Sequence, residues 1–345
     1  MPTTKTRRSL DPSRRGRRPR WILIVATLAV AIGIGGVVAN ARLFGAPGDG
    51  GSTVVVIEPG TSLRAIARQL EAERVVRSAK GFLLAAKLTG QSSRIPAGEF
   101  DLPRDADAFA VIDRLVHGPV VQHKVTIPEG YTVRQIATTL AASGIATKEE
   151  IDAVLADGPF FRALGVPVDS PEGYLFPDTY QFTRGYPARK LVANMVRRFF
   201  KTWDAAMEAR AKSLGMTMHQ VVTLASIVEE EAAVDDERPM IAGVFHNRLR
   251  KGMRLQSDPT VIYGVGDRYR GKIYKSDLTD ANPYNTYVIV GLPPGPIAAP
   301  GEEALRAVLR PANTDALYFV ARNDGTHVFS TTYTEHQAAV NRYQR

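Results

Sequence analysis

VVTLASIVEEEAAVDDERPMIAGVFHNRLRKGMR, residues 221–254, is the stretch from which this chain can be read outward. It opens as an apolar helix pattern, runs into Glu229, Glu230 and Glu231, and resumes as a second helical segment carrying His246, Asn247 and Arg248. Thr217 stands where an N-cap belongs. Val221, Leu224, Val228 and Glu231 then recur at i, i+3, i+7 and i+10 on one stripe. Glu230 points about 100° away, and Glu229 follows Val222 and Ser226 on another face. Helical phase therefore predicts Glu231 to be the most desolvated of the three. Buried carboxylates are costly and tend to hold a proton instead. A protonated carboxyl in a cleft is what acid catalysis at a glycosidic bond requires. A generic charge run would be a solvated helix end. Here Asp235, Asp236 and Glu237 already supply a polar connection, and Pro239 opens the next helix as a first-turn proline.

That second helix, over 239–251, is expected to bury Ile241, Val244, Phe245 and Leu249 and to carry Asn247, Arg248 and Arg250 on its polar side. Beyond Gly252, LQSDPTVIYG (255–264) sets an amide, a hydroxyl and a carboxylate side by side in Gln256, Ser257 and Asp258. Such groups suit sugar hydroxyls and acetamido groups. They equally suit a turn in which Asp258 caps a helix beginning at Pro259. NPYNTY (282–287) is another polar-aromatic cluster, and GLPPGPI (291–297) is a stiff loop. A helix over 300–309, strands over 316–321 and 327–330 around Asn323-Asp324-Gly325, and a helix from about Thr334 follow.

Upstream, residues 188–214 read as one long amphipathic helix ended by Gly215, and 148–164 as another helical stretch. Between them, PEGYLFPDTY (171–180) holds too many turn formers for a helix. Its aromatics could stack on sugars or plug a core. Further upstream lies an internal repeat at an offset of 70: VVVIEPGTSLRAIARQL (54–70) lines up with HKVTIPEGYTVRQIATTL (123–140). The matches are Ile57/Ile127, Gly60/Gly130, Arg64/Arg134, Ile66/Ile136, Ala67/Ala137 and Leu70/Leu140. Each unit predicts a short strand, a Pro/Gly turn, a capping Thr or Ser and an amphipathic helix. In the first, Thr61 or Ser62 caps a helix to about Arg74, and further helices are expected over 78–88 and 106–117.

Nineteen residues without a charge, WILIVATLAVAIGIGGVVA, begin at Trp21. As a helix they measure about 28 Å, close to the hydrocarbon thickness of a bilayer. Residues 1–20 carry eight Lys/Arg against Asp11, so the arm is +7 of the net +9 and the rest is near neutral. That excludes a global basic surface for nucleic acid. The positive-inside rule places the N-terminus in the cytoplasm and the remainder outside. The apolar run exceeds a signal-peptide core, so an uncleaved single-pass anchor is expected rather than a cleaved leader. The chain has no cysteine, which excludes disulfides, thiolate nucleophiles and Cys-ligated zinc, and the histidines show no ligand spacing, so no metal or cofactor is expected.

LASIVEEE, FHNRL, LQSDPTVIYG, YNTY and GLPPGPI in this order resemble the YceG-like family of endolytic murein transglycosylases over about residues 50–345. The resemblance implies a membrane-anchored lyase facing the cell exterior or periplasm and cutting nascent peptidoglycan strands. It implies Glu231, third of its cluster, as the general acid/base. The middle position, Glu230, is often lysine in relatives, and a glutamate there should push the pKa of Glu231 up. Gln256 and Asn285 are expected to position N-acetyl groups or stabilise the oxocarbenium-like state, with Tyr287 and Arg248 as further substrate contacts. The strand-turn-helix-helix unit resembles a LysM module, which binds N-acetylglucosamine polymers.

The expected fold class is α+β. The organisation comprises a basic arm (1–20), a transmembrane helix (21–41), a linker (42–52), a LysM-like module (53–120) and a mixed catalytic region with a helical core (121–345). Expected partners are glycan strands, the cytoplasmic membrane and peptidoglycan synthases. A catalytically silent scaffold, or a muramidase pairing Glu231 with Asp258 or Glu229, are the alternatives.

Overall fold

The computed structural model describes residues 20–48 and 50–344. The basic arm thus lies outside the described residues but for Arg20. Two compact units divide between Val121 and Gln122. Both are α+β, with two-stranded antiparallel sheets set among helices.

The first unit opens with α1 (Arg20–Phe44). None of the apolar window of Leu23–Phe44, mean hydropathy 2.2, is buried against protein, which fits a single membrane span. The helix runs past the expected linker start at residue 42. The Phe44 ring packs 5.2 Å from that of Phe109, and Arg42 suits the helix C-terminus, so the last turn has local support. After it come β1 (Ser52–Ile57), α2 (Leu63–Ala72), α3 (Ala79–Leu88), β2 (Gly98–Pro103) and α4 (Ala108–His117). Ser62, Ser78 and Asp107 cap the three helices. β1 pairs antiparallel with β2, Val55 opposite Phe100, over a core of Ile57, Ile66, Leu70, Phe82 and Leu115.

The second unit begins by repeating the pattern. β3 (His123–Ile127), α5 (Val133–Ala142) and α6 (Lys148–Leu155) lead through α7 (Gly158–Ala163) to β4 (Asp178–Phe182), which pairs antiparallel with β3. The matched positions play matched parts. Ile57/Ile127, Ile66/Ile136, Ala67/Ala137 and Leu70/Leu140 are all buried, while Arg64 and Arg134 are exposed. The repeat is therefore a repeat of packing.

Two expected helices are each two. Asp157 caps α7 and Pro159 sits in its first turn, splitting 148–164. Likewise 188–214 is α8 (Ala188–Thr202) and α9 (Ala205–Ser213). Trp203 leaves the helical region to stay buried, donating its indole N–H to Glu208 at 3.0 Å, and Asp204 caps the new start. Apolar periodicity survives both breaks, so it cannot report them.

The 171–180 segment is a core plug: Tyr174, Leu175 and Phe176 are buried. Tyr174 Oη lies 2.9 Å from His219 Nδ1, and His219 Nε2 lies 3.0 Å from the Pro294 carbonyl. Gly173 has φ +81°, and a Cβ there would lie 2.5 Å from Pro296 and 2.8 Å from Val222. Only glycine lets the GLPPGPI loop settle on this plug.

The remaining elements are α10 (Met218–Glu231), α11 (Arg238–Arg250), α12 (Asp258–Val265), α13 (Lys275–Leu278), α14 (Glu302–Leu309), β5 (Tyr318–Ala321), β6 (His327–Ser330) and α15 (Tyr333–Tyr343). α10 is buried on every side from Val221 to Val228, among α11, α12 and α14. That burial fixes where its C-terminal glutamates emerge.

Candidate active site

Thr217 and Gln220 form a reciprocal capping box that starts α10, and the helix ends at Glu231, where Ala232 turns extended. The three glutamates leave this end in different directions. Glu229 turns into an ion pair with the next helix. Its 5%-exposed carboxylate accepts from Arg238 Nη2 at 2.7 Å and from the Gly301 N–H at 2.9 Å. Helical phase puts Glu231 on the desolvated stripe, where burial is the largest influence on its carboxyl, but it cannot see the arginine that reaches Glu229 from the next helix. Glu230 is exposed and lies against Gly130, its Oε1 2.7 Å from where a Cβ there would stand. Burial against its neighbours, and then the charge of Glu229, raise its pKa to about 7, but it does not line the cleft that Glu231 faces.

Glu231 is half-buried and lines a cleft of about 470 Å³. Burial pushes its pKa up to about 7. The Ser257 hydroxyl, donating to Oε1 at 2.5 Å, pulls the other way, while Asp258 and, less, Glu230 add to the rise. The orphan carbonyls at the end of α10 also disfavour a negative charge there. Glu231 thus holds a proton near neutrality and can release it.

Sequence placed Ser257 in a polar turn but not with its hydroxyl against Glu231. It occupies the N-cap position of α12 but makes no capping bond, because Pro259 in the first turn has no N–H to offer and Glu231 competes for the hydroxyl. Ser257 is buried, its N–H held by Thr286 Oγ1 at 2.9 Å, and Thr286 Oγ1 lies 2.8 Å from Thr260 Oγ1. Asp258, expected as the cap, instead sits inside the first turn and accepts from Tyr287 Oη at 2.7 Å. Removing the Ser257 donor by Ser257→Ala takes away stabilisation of the carboxylate only, so the Glu231 pKa rises further. The alkaline limb of the rate profile, where the acid is lost, should move up by about one pH unit, the equivalent of a charge-assisted hydrogen bond. An unmoved or downward-shifted limb in kcat/KM against pH would contradict this role.

The other expected site residues divide. Gln256 and Tyr287 line the cleft with Glu231. Gln256 is exposed and held at φ +50°, a costly conformation for a side-chain-bearing residue that marks a constrained loop. Arg248 also lines the cleft, but the polar-side expectation for Asn247 and Arg248 fails: both are buried. Arg248 donates to the Leu317 and Leu255 carbonyls, each at 2.6 Å, and lies 5.3 Å from the centre of the Tyr318 ring. Asn247 donates to the Thr314 and Ala316 carbonyls at 2.7 and 2.9 Å. Together they clamp the segment that becomes β5, and Gly243 lets it approach, since a Cβ would lie 2.8 Å from Thr314 Cγ2. Asn285 is buried away from the cleft lining: its amide donates to the Asp277 and Asp280 carbonyls and its oxygen accepts from the Tyr287 N–H, so its donors are spent on the loop.

The far wall of the cleft comes from β5, β6 and α15, which sequence reading left out of the site. Tyr318, His327, Tyr333 and His336 line it. Tyr318 and His336 stack at 5.2 Å, and His336 Nδ1 has no hydrogen-bond partner among the described residues. His327 Nδ1 lies 2.6 Å from Glu237, which ties this wall to the start of α11. No local pattern marks these residues, whose role depends on how the hairpin docks.

The cleft sets the proton-holding carboxyl of Glu231 near Asp258 among aromatic and amide groups, an arrangement that acid catalysis at a glycosidic bond can use. The YceG-like family model matches residues 55–342, and the chain belongs to that family. It is 34% identical over 302 residues to an endolytic murein transglycosylase of Bacillus subtilis strain 168, covering 83% of each chain. It is 30% identical over 318 residues to the endolytic murein transglycosylase of Streptococcus pneumoniae D39, covering 83% of this chain and 57% of that one. Among solved structures, a YceG-like protein of Listeria monocytogenes at 2.6 Å superposes with a TM-score of 0.57 at 32% identity, over 84% of this chain and 99% of that one.

Proposed function

We propose that this chain is a membrane-anchored lytic transglycosylase that cuts within peptidoglycan strands. Glu231 in its cleft, proton-holding near neutrality and set against Ser257, carries the proposal. Glu231 donates its proton to the glycosidic oxygen of a MurNAc–GlcNAc bond as that oxygen leaves C1. The C6 hydroxyl of the same MurNAc then attacks C1, closing a 1,6-anhydro ring, and the Glu231 carboxylate takes the hydroxyl proton. No water is consumed and the acid is restored. Gln256 and Tyr287 sit where they can hold the flanking sugars, and Arg248 works mainly by fixing the wall. The apolar α1 and the basic arm before it support an outer-face position of the cleft at the cytoplasmic membrane, where it would meet strands leaving their synthases and end their elongation. The antiparallel β-α-α-β unit at 53–120 supports a glycan-holding, LysM-like role for that module.

One observation favours a second reading. Asp258 shares the cleft and could serve a hydrolase as its second carboxylate. Glu229 could not, because Arg238 and Gly301 occupy it. Digestion of purified strands and weighing of the new ends separates them. Ends lighter by one water than a hydrolysed end are expected. Hydrated ends would establish the muramidase, and uncut strands a binding scaffold.

A further inference from the structure

The Glu231 cleft leaves a larger space in the same unit unused. A cavity of about 1010 Å³ lies between α5 and α6 of the second repeat and the last turn of α12. Val133, Leu155, Ile262 and Tyr263 give it apolar and aromatic surface, and Glu172 is buried in its wall. That carboxyl is pinned by the Val133 N–H at 2.9 Å and by Tyr263 Oη at 3.1 Å, and the Tyr263 ring packs 4.8 Å from that of Tyr284. Nothing in the cleavage step calls on these groups.

One helix face joins the two spaces. Asp258, Ile262 and Gly266 recur at i, i+4 and i+8 along and just past α12. The first lines the Glu231 cleft, and the other two line the second cavity. At 1.5 Å per residue they span about 12 Å. A ligand that occupies both must be extended, and a strand of linked sugar rings laid along this stripe meets that length. The charged groups of the cavity are largely taken up in ion pairs, Arg134 with Asp267, Lys148 with Asp152, and Asp169 with Arg162 outside it, so its recognition rests on ring faces rather than on a free charge. What remains is the apolar and aromatic surface of Val133, Leu155, Ile262 and Tyr263, on which the faces of sugar rings can lie.

We infer that this cavity is a distal subsite for the same glycan strand, holding sugar rings beyond those at Glu231; the inference rests on the polysaccharide reading above. Leu155→Trp, which fills the cavity from α6, and Arg134→Glu, which sets like charges beside Asp267, test it in the full chain. Each should lose about tenfold or more in kcat/KM on long, peptide-free glycan strands, mostly in KM, with an unchanged melting temperature. If Leu155→Trp does not fold, Arg134→Glu decides alone. Parental kcat/KM in the folded variants overturns the subsite and leaves the role of Glu231 intact. A defect confined to strands bearing stem peptides assigns the cavity to peptide and overturns it too. Failure of the parent chain to cut any strand sinks both readings.

Discussion

Glu231→Gln is expected to lower strand cleavage by about 10²–10⁴-fold, the usual contribution of a positioned general acid. Glutamine keeps the shape and an oxygen that can still accept from Ser257, so the cleft keeps its geometry and the melting temperature should not fall. What it lacks is a proton to give and a carboxylate to take one back. Both halves of the reaction lose their agent, so the loss belongs in kcat as well as kcat/KM. Glu229→Gln is the comparison. Its Oε1 accepts from Arg238 and its Oε2 from the Gly301 N–H, so the amide keeps one of the two bonds; the melting temperature should fall, while kcat of the folded protein should stay within a few-fold of the parent. If Glu229→Gln alone removes activity, Glu231 is not the acid.

The second large effect concerns stability. Arg238→Ala should cost about 3–5 kcal/mol, the range for breaking one side of a buried ion pair. Arg238 is 7% exposed and is the charged partner of Glu229, besides meeting Asp235 Oδ1 at 2.5 Å. Its removal leaves the Glu229 carboxylate shielded and facing only the Gly301 N–H. The last turn of α10, from which Glu231 projects, is then held less firmly, so activity should fall together with stability. Urea unfolding measures the first quantity. A midpoint shift worth less than about 1 kcal/mol, the value of a surface pair, would show that the pair is not the clasp proposed for this corner.

Much of this arrangement could be read from local pattern. The phase of Val221, Leu224 and Val228 put Glu231 on the working stripe of α10, and the structure sets it in the cleft. The offset of 70 between two strand-helix units became two matched antiparallel units, because buried Ile, Ala and Leu at equal spacing demand equal packing. Other features hid for identifiable reasons. Asn247 and Arg248 look like a polar helix face, yet both are buried because they satisfy backbone carbonyls of a segment some seventy positions away. Asn285 looks like a sugar contact, but an asparagine's amide serves a tight loop equally well, and here the loop takes it. Ser257 looks like a cap, and only the three-dimensional approach of Glu231 diverts it. The β5–β6 wall has no chemical signature until the hairpin docks beside α15.

Cleavage of purified glycan strands in water enriched in heavy oxygen separates ring closure by the C6 hydroxyl from attack by water. If Glu231 acts alone and the C6 hydroxyl closes the ring, the new MurNAc ends carry no heavy oxygen and are one water lighter than hydrolysed ends. Heavy oxygen incorporated at C1 of those ends would contradict this and assign Asp258, or a water it activates, to the second half of the reaction.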